Sequence, residues 1–134
     1  MDALDALKTR RSCRAYLDRP VDAQTLDAII EAGRFAASGM GRQPVTFVAV
    51  TDPATVKQLS RMNAQIMGVD TDPFYGAQTV VMVLVDASVP TCVEDGALAM
   101  GNLMNAAHAL GVDSCWIHRA REEFESKEGR ALLA

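Results

Sequence analysis

The chain has 134 residues and a formal net charge of -4, values that fit one domain and exclude a typical nucleic-acid partner, because phosphate binding requires a basic face. The longest apolar run lies around residues 80–85 and is far shorter than the ~20 residues that a membrane-spanning helix needs. The three cysteines are scattered and odd in number, which argues against a disulfide framework or a metal site and favours a reducing, cytoplasmic location.

Two short helices and a loop of small residues are predicted before the first strand. Leu4 and Leu7 lie three positions apart and predict an opening helix. Asp22 is a favourable N-cap for a second helix, which we expect Gly33 to end. Residues 36–44, with the sequence AASGMGRQP, then predict a loop.

Two strands and a third helix follow the loop. Residues 45–51 are apolar on both of their alternating faces, as in a strand that is buried on two sides. Asp52 and Pro53 supply an N-cap and a first-turn proline for the third helix. Residues 69–76 predict irregular structure, and residues 79–85, TVVMVLV, give the strongest strand signal in the chain.

Residues 91–111 predict one long helix around which the rest of the chain is arranged. Thr91 and Glu94 form a capping box, Asp95 is favourable at the positive end of a helix, and Gly111 ends it. Apolar residues line two opposite sides of this helix, so both sides must be covered. We expect a sheet to cover one side and a second copy of the chain to cover the other, which predicts a homodimer.

The last predicted elements complete an α+β fold. Residues 112–117 predict a third strand, and residues 121–127 predict a short charged helix. Strands that alternate with helices favour a three-layer αβα sandwich, with a mixed sheet and a long buried central helix.

The first chemical signal is a basic cluster that contains Arg10, Arg11, Ser12 and Arg14. Three guanidinium groups this close repel one another unless an anion lies among them, and arginine pairs with phosphate through two parallel hydrogen bonds. In an extended segment, Arg10, Ser12 and Arg14 would point to the same side. The alternative is a solvated basic turn that binds nothing, and the cluster alone leaves both interpretations open.

The second chemical signal is the loop that contains Ser38, Gly39 and Met40. Its glycines allow the backbone to approach a flat ligand closely. The loop lacks the lysine and hydroxyl residue of a P-loop and the G-x-G-x-x-G pattern of a dinucleotide site. The alternative is a simple connection between a helix and a strand.

Taken in order, these segments resemble the FMN-dependent nitroreductase family. The resemblance rests on TRRSCRAYLDRPV, EAGRFAASGMGRQP, PFYGAQTVVMVLVD and ALGVDSCWIHRAREEF, which together cover nearly the whole chain. Its most specific part is the basic cluster followed by ASG and RQP in the small-residue loop. The resemblance implies an intertwined homodimer that binds two FMN molecules at its interface, each held by both chains.

The resemblance also implies which residues bind FMN. In this family the initial basic segment holds the flavin phosphate, the ribityl chain and the pyrimidine edge, which corresponds to Arg10, Arg11, Ser12 and Arg14. The loop of the other chain packs against the ring, which corresponds to Ser38, Gly39 and Met40. The segment after the third strand contacts the ring near its reactive edge, which corresponds to Ile117 and His118.

The activity that the resemblance implies is a ping-pong reaction with no catalytic side chain, because the flavin carries the chemistry. NADH or NADPH would reduce FMN and leave before a small organic acceptor, such as a nitroaromatic or a quinone, is reduced. One alternative is a flavin-binding sensor or carrier without turnover. Another is a related enzyme that cleaves flavin or removes halide from an aromatic substrate, and a third is a structural dimer without a ligand.

Two features depart from the family pattern. Many members have asparagine where this chain has Gly41. Members usually continue beyond the position of Ala134 with a further strand, basic residues that complete the phosphate site and an arm around the partner. We therefore expect residues 1–134 to form a single nitroreductase-like FMN-binding domain that lacks this C-terminal strand and arm.

Overall fold

The computed structural model describes residues 1–134 and contains six α-helices, two β-strands and one short 3-10 turn, Gly39–Gly41. The elements in chain order are α1 (Ala3–Thr9), α2 (Ala23–Arg34), β1 (Val45–Val50), α3 (Pro53–Met67), β2 (Val80–Val85), α4 (Cys92–Ala109), α5 (Ala120–Glu125) and α6 (Lys127–Leu133). This mixture of helices with a small sheet confirms the predicted α+β class. None of the helices is both long and apolar enough to cross a bilayer.

The chain divides into two units that alternate along the sequence. The first unit contains Met1–Cys13, Val21–Ala49 and Val81–Trp116. The second unit contains Arg14–Pro20, Val50–Val80 and Ile117–Ala134. The basic cluster is therefore split, since its first three members belong to the first unit and Arg14 belongs to the second.

Helices α2 and α4 form the core of the first unit together with the sheet. Ile29 on α2 and Leu103 on α4 are buried, and apolar residues of both strands pack against them. The prediction that Gly33 ends α2 is wrong, because the helix continues to Arg34. Gly33 is instead buried, and a Cβ added to it would lie only 2.7 Å from Cδ2 of Leu103. Its lack of a side chain therefore permits the close approach of α2 and α4.

Strands β1 and β2 form the sheet of the first unit. The N–H of Asp86 donates to the carbonyl of Pro44 at 2.9 Å, so the end of β2 lies beside the start of β1 and the strands are antiparallel. Thr46 and Ala49 are exposed, so the prediction that β1 is buried on both sides is wrong within one chain.

The predicted third strand over residues 112–117 is also wrong. Pairing in this stretch is limited to one parallel bridge between Ser12 and Ser114, in which the N–H of Cys13 donates to the carbonyl of Ser114 at 3.0 Å. The ladder goes no further because the segment that pairs with Ser114 is not itself a strand. The bridge nevertheless holds the basic cluster against the chain that follows α4.

Helix α4 confirms the predicted long helix, but it begins differently from the prediction. Thr91 makes no capping hydrogen bond with its side chain, so the predicted capping box with Glu94 is wrong. Gly111 does adopt the expected left-handed conformation after the last turn, with φ of 78°. One side of α4 is buried in the first unit, and two large apolar residues elsewhere on the helix, Val93 and Leu98, stay exposed, as does Leu110 immediately after it.

Helices α3, α5 and α6 belong to the second unit. Helix α3 begins as predicted, because the carboxylate of Asp52 accepts the N–H of Thr55 at 2.9 Å and Pro53 occupies the first turn. The charged helix predicted over residues 121–127 is instead two helices. They separate at Ser126, whose backbone is extended and whose Oγ accepts the N–H of Gly129 at 3.0 Å.

Candidate functional site

The basic cluster begins where α1 ends, and its two neighbouring arginines have different surroundings. The Nη1 atom of Arg10 is buried and has no hydrogen-bond partner. The Nη1 atom of Arg11 donates to the backbone carbonyls of Lys8 at 2.9 Å and Arg10 at 2.8 Å. A buried guanidinium N–H without an acceptor costs free energy, so Arg10 is the member of the cluster with an unsatisfied buried donor.

The end of α1 is also tied to α4 by side chains. Thr9 Oγ1 donates its single hydrogen to the carbonyl of Asp5 at 2.5 Å. His108 Nε2 lies 2.8 Å from the same oxygen and therefore acts as the donor in that contact. Thr9 immediately precedes Arg10, so its contact with His108 helps to fix the position of the start of the basic cluster.

The loop with Ser38, Gly39 and Met40 has an uncommon backbone. Met40 and Gln43 both have positive φ, 54° and 49°, although neither is glycine. The N–H of Gln43 donates to Ser38 Oγ at 2.9 Å, which leaves the hydroxyl hydrogen of Ser38 available to a ligand. The side chain of Met40 is 87% exposed, which suits a contact with another molecule.

Asp95 anchors this loop, a role that was not predicted from the sequence. The residue is 2% exposed and lies in the first turn of α4. Its Oδ1 accepts the N–H of Gly39 at 2.9 Å, and its Oδ2 accepts Thr91 Oγ1 at 2.8 Å. In the sequence, an acidic residue at this position is already explained by the helix N-terminus, so nothing indicates a second partner 56 residues away.

The remaining predicted site residues, Arg14, Ile117 and His118, lie in the second unit. Arg14 and His118 are exposed, and Ile117 is half-buried. The backbone carbonyl of His118 accepts a hydrogen bond from Asn63 Nδ2 at 2.9 Å, so its position depends on a residue of α3.

Asn63 is the centre of a buried polar network in the second unit. It is fully buried, and its Nδ2 also donates to Glu123 Oε2 at 3.0 Å. Its Oδ1 accepts the Nε of Arg119 at 3.0 Å. Both the nitrogen and the oxygen of the Asn63 amide are thus hydrogen-bonded. The bond to the carbonyl of His118 fixes the backbone that carries Ile117 and His118. An asparagine among the polar positions of an amphipathic helix gives no sequence signal for such a role.

Glu123 is the buried acid of that network. Burial raises the pKa of its carboxyl group above the usual 4.5, although the hydrogen bond from Asn63 and the charge of Arg119 oppose the rise. Its Oε1 atom is buried and has no hydrogen-bond partner. An unpartnered buried oxygen disfavours the charged form of a carboxyl group, which agrees with the direction of the shift.

The family model described as the nitroreductase family matches residues 7–81 of the chain. A solved nitroreductase from Bacteroides fragilis, crystallised with bound FMN, is 32% identical and superposes with a TM-score of 0.90. That similarity covers 99% of this chain and 78% of the Bacteroides chain.

This chain also matches two curated relatives, but it covers a smaller share of their length than of the Bacteroides chain. A protein of Methanothermobacter thermautotrophicus with the provisional name NADH dehydrogenase/NAD(P)H nitroreductase is 30% identical over 120 residues, which are 87% of this chain and 60% of the relative. An FMN reductase (NAD(P)H) of Bacillus subtilis is 29% identical, over 90% of this chain and 55% of the relative. The chain therefore spans little more than half the length of these curated relatives.

Proposed function

The chain belongs to the nitroreductase family, and from this premise we propose that it is an FMN-dependent oxidoreductase. When bound, FMN would supply the redox chemistry by accepting a hydride from NADH or NADPH and passing it to a small organic acceptor, such as a nitroaromatic or a quinone. The proposal is supported by the Bacteroides relative with bound FMN and by the Bacillus relative named as an FMN reductase.

The observation that carries the proposal is the unpartnered Nη1 of Arg10. A phosphate group is a dianion with several acceptor oxygens, and a hydrogen bond from a guanidinium to such an oxygen contributes roughly 1.5 to 3 kcal/mol. Arg10 therefore fits the phosphate of FMN. Arg11 and Ser12 complete the proposed contacts in the first unit, with a smaller effect from Arg11 because its Nη1 is already used by two carbonyls.

In the second unit, Arg14 is the proposed positive charge near the ring edge of the flavin. Positive charge at that edge would stabilise the negative charge that develops when the ring is reduced. Ile117 and His118 are proposed to contact the ring through the backbone that Asn63 fixes. None of these roles requires a proton donor, a base or a nucleophile from the chain.

We also propose that the protein is a homodimer in which Ser38, Gly39 and Met40 of one chain contact the flavin of the other. The support is the exposed apolar side chains on α1 and α4, because several large apolar residues that remain exposed on one unit favour an interface. Leu98 on α4 is 52% exposed, so the substitution Leu98→Glu should separate the dimer without unfolding the chain. Sedimentation velocity measures the result, and a variant that stays dimeric would remove α4 from the interface.

Titration with FMN and with riboflavin tests the central claim. Arg10→Ala should weaken FMN binding by about ten- to a hundredfold and leave riboflavin, which has no phosphate, unchanged. Arg34→Ala is the matched control, because it removes one exposed positive charge from the same unit outside the cluster. Equal FMN affinities for the wild type and Arg10→Ala would mean that Arg10 does not bind phosphate. Oxidation of NADH or NADPH by the flavin-loaded protein then separates an enzyme from a flavin-binding sensor or carrier.

A further inference from the structure

We propose that Asp95 is a positioning residue that holds the loop with Ser38, Gly39 and Met40 in the conformation that contacts flavin. This inference rests on the proposed function, because it concerns the loop that is proposed to meet the ring. Asp95 itself does not touch the ligand. It acts through the backbone of Gly39.

The contacts of Asp95 are unusual for a carboxylate in the first turn of a helix. The residue is 2% exposed, and neither ion pair of the chain includes it. A buried carboxylate is costly unless hydrogen bonds and local dipoles compensate it. The N–H of Gly39, the hydroxyl of Thr91 and the positive end of α4 provide that compensation. The hydrogen bond from Gly39 would be lost if the loop moved away, leaving only Thr91 of the same helix turn as a partner, so the carboxylate and the loop stabilise each other.

The loop needs such an anchor because its own backbone is strained. Met40 and Gln43 have left-handed conformations, which cost free energy for residues other than glycine and persist only where the surroundings impose them. Within the loop, the hydrogen bond from Gln43 N–H to Ser38 Oγ supports one side of this conformation. The bond from Gly39 to Asp95 supports the other side and connects the loop to α4.

The close packing between Gly39 and Thr91 means that the contact between the loop and α4 requires glycine at position 39. A Cβ added to Gly39 would lie 2.3 Å from Thr91 Oγ1, so only glycine allows the loop to approach this close. The N–H of Gly39 is used by Asp95 and cannot also donate to a ligand. The loop therefore offers the ring the hydroxyl of Ser38 and the exposed side chain of Met40, with Gly39 as a fixed backbone contact.

Three variants test the proposal through FMN affinity. Asp95→Ala removes both hydrogen bonds and should weaken FMN binding by about tenfold or more, because the loop would then adopt the flavin-contacting conformation in a smaller fraction of molecules. Asp95→Asn should restore most of the affinity, because its amide oxygen can accept from Gly39 and its amide nitrogen can donate to Thr91. Glu94→Ala is the matched control, since it removes a neighbouring, exposed carboxylate from the same helix turn and should bind FMN like the wild type.

Amide hydrogen exchange in the flavin-free protein provides a readout that does not depend on the ligand. The N–H of Gly39 should exchange about tenfold or more faster in Asp95→Ala than in the wild type or Glu94→Ala, because its acceptor is gone. If Asp95→Ala fails to fold, Thr91→Val tests the same anchor by removing only the hydroxyl, and it should also accelerate this exchange.

The outcomes separate the two proposals. A wild type that binds FMN and an Asp95→Ala variant that binds it equally well, with Gly39 still protected, would overturn the role of Asp95 and leave the proposed function standing. Asp95→Asn behaving like Asp95→Ala, with Glu94→Ala also weakened, would mean that charge at the helix N-terminus and not the anchor is responsible. A wild type that binds no FMN while Asp95→Ala exposes Gly39 would overturn the proposed function and reduce Asp95 to a structural anchor.

Discussion

Replacing Asn63 with alanine is expected to lower the free energy of unfolding by about 2 to 4 kcal/mol, because three hydrogen bonds of a fully buried side chain are lost together. The largest part comes from Glu123, which is 3% exposed and would lose its only side-chain partner for Oε2. A buried polar group left without a partner costs about 1 to 3 kcal/mol. The carbonyl of His118 and the side chain of Arg119 can reach water more easily, so the loss of their hydrogen bonds to Asn63 adds less.

Urea unfolding of Asn63→Ala measures this loss directly. For a chain of this length, 1 kcal/mol corresponds to about 4 °C in melting temperature, so a decrease of about 8 to 16 °C should accompany it. Gln65→Ala is the matched control, because it removes an exposed amide from the same helix and should change stability by less than about 0.5 kcal/mol. A double-mutant cycle with Glu123→Ala should show coupling of about 0.5 to 3 kcal/mol.

Equally small losses of stability in Asn63→Ala and Gln65→Ala would mean that the hydrogen bonds of Asn63 do not stabilise the folded chain. Zero coupling in the cycle would instead leave Asn63 as a packing residue that does not act through Glu123.

Three further predictions concern pH, helix packing and kinetics. Because burial raises the folded-state pKa of Glu123 above 4.5, its contribution to stability should be present below that pH and decline as pH rises through the folded pKa. Unfolding measured from pH 4 to 8 should therefore show a smaller decline for Glu123→Gln than for the wild type, and parallel profiles would contradict the shift. Gly129→Ala should destabilise the chain by about 1 to 3 kcal/mol, because its Cβ would collide with the Glu123 carbonyl oxygen. A Cβ on Gly101 of α4 meets nothing within 4 Å in one chain, so Gly101→Ala combined with Leu98→Glu, which separates the proposed dimer, should be neutral or stabilising by up to about 1 kcal/mol relative to Leu98→Glu alone. A decrease in melting temperature equal to that of Gly129→Ala would contradict the proposed collision. Steady-state rates with varied NADH or NADPH and acceptor should give parallel double-reciprocal lines, and intersecting lines would exclude a ping-pong reaction.

Elements whose signals are local in sequence could be predicted well. Helix α3 begins where Asp52 and Pro53 place it, and β2 lies where its apolar run predicts, because capping and short-range patterning decide both. Residues 112–117, VDSCWI, were also predicted to be a strand but form one bridge only, since strand pairing depends on a partner far away in the chain. The capping box at Thr91 failed for a related reason, because its hydroxyl is used by Asp95.

Only part of the candidate site could be predicted from the sequence. The basic cluster and the small-residue loop could be found by composition and by resemblance to a family. Asp95 and Asn63 could not, because each looks like an ordinary helix residue until the chain brings a distant backbone group to it. Residues that would touch a ligand carry recognisable motifs, whereas those that hold the ligand-binding backbone in place are specified by tertiary contacts.

The bridge between Ser12 and Ser114 has a consequence for synthesis on the ribosome. The basic cluster leaves the ribosome early, but the residue that pairs with it follows about a hundred positions later. At about 5 to 20 residues per second, that delay is about 5 to 20 s, during which α1 and the cluster have neither Ser114 nor the contact between Thr9 and His108. A nascent chain therefore displays three closely spaced arginines without these contacts until Ser114 has been translated.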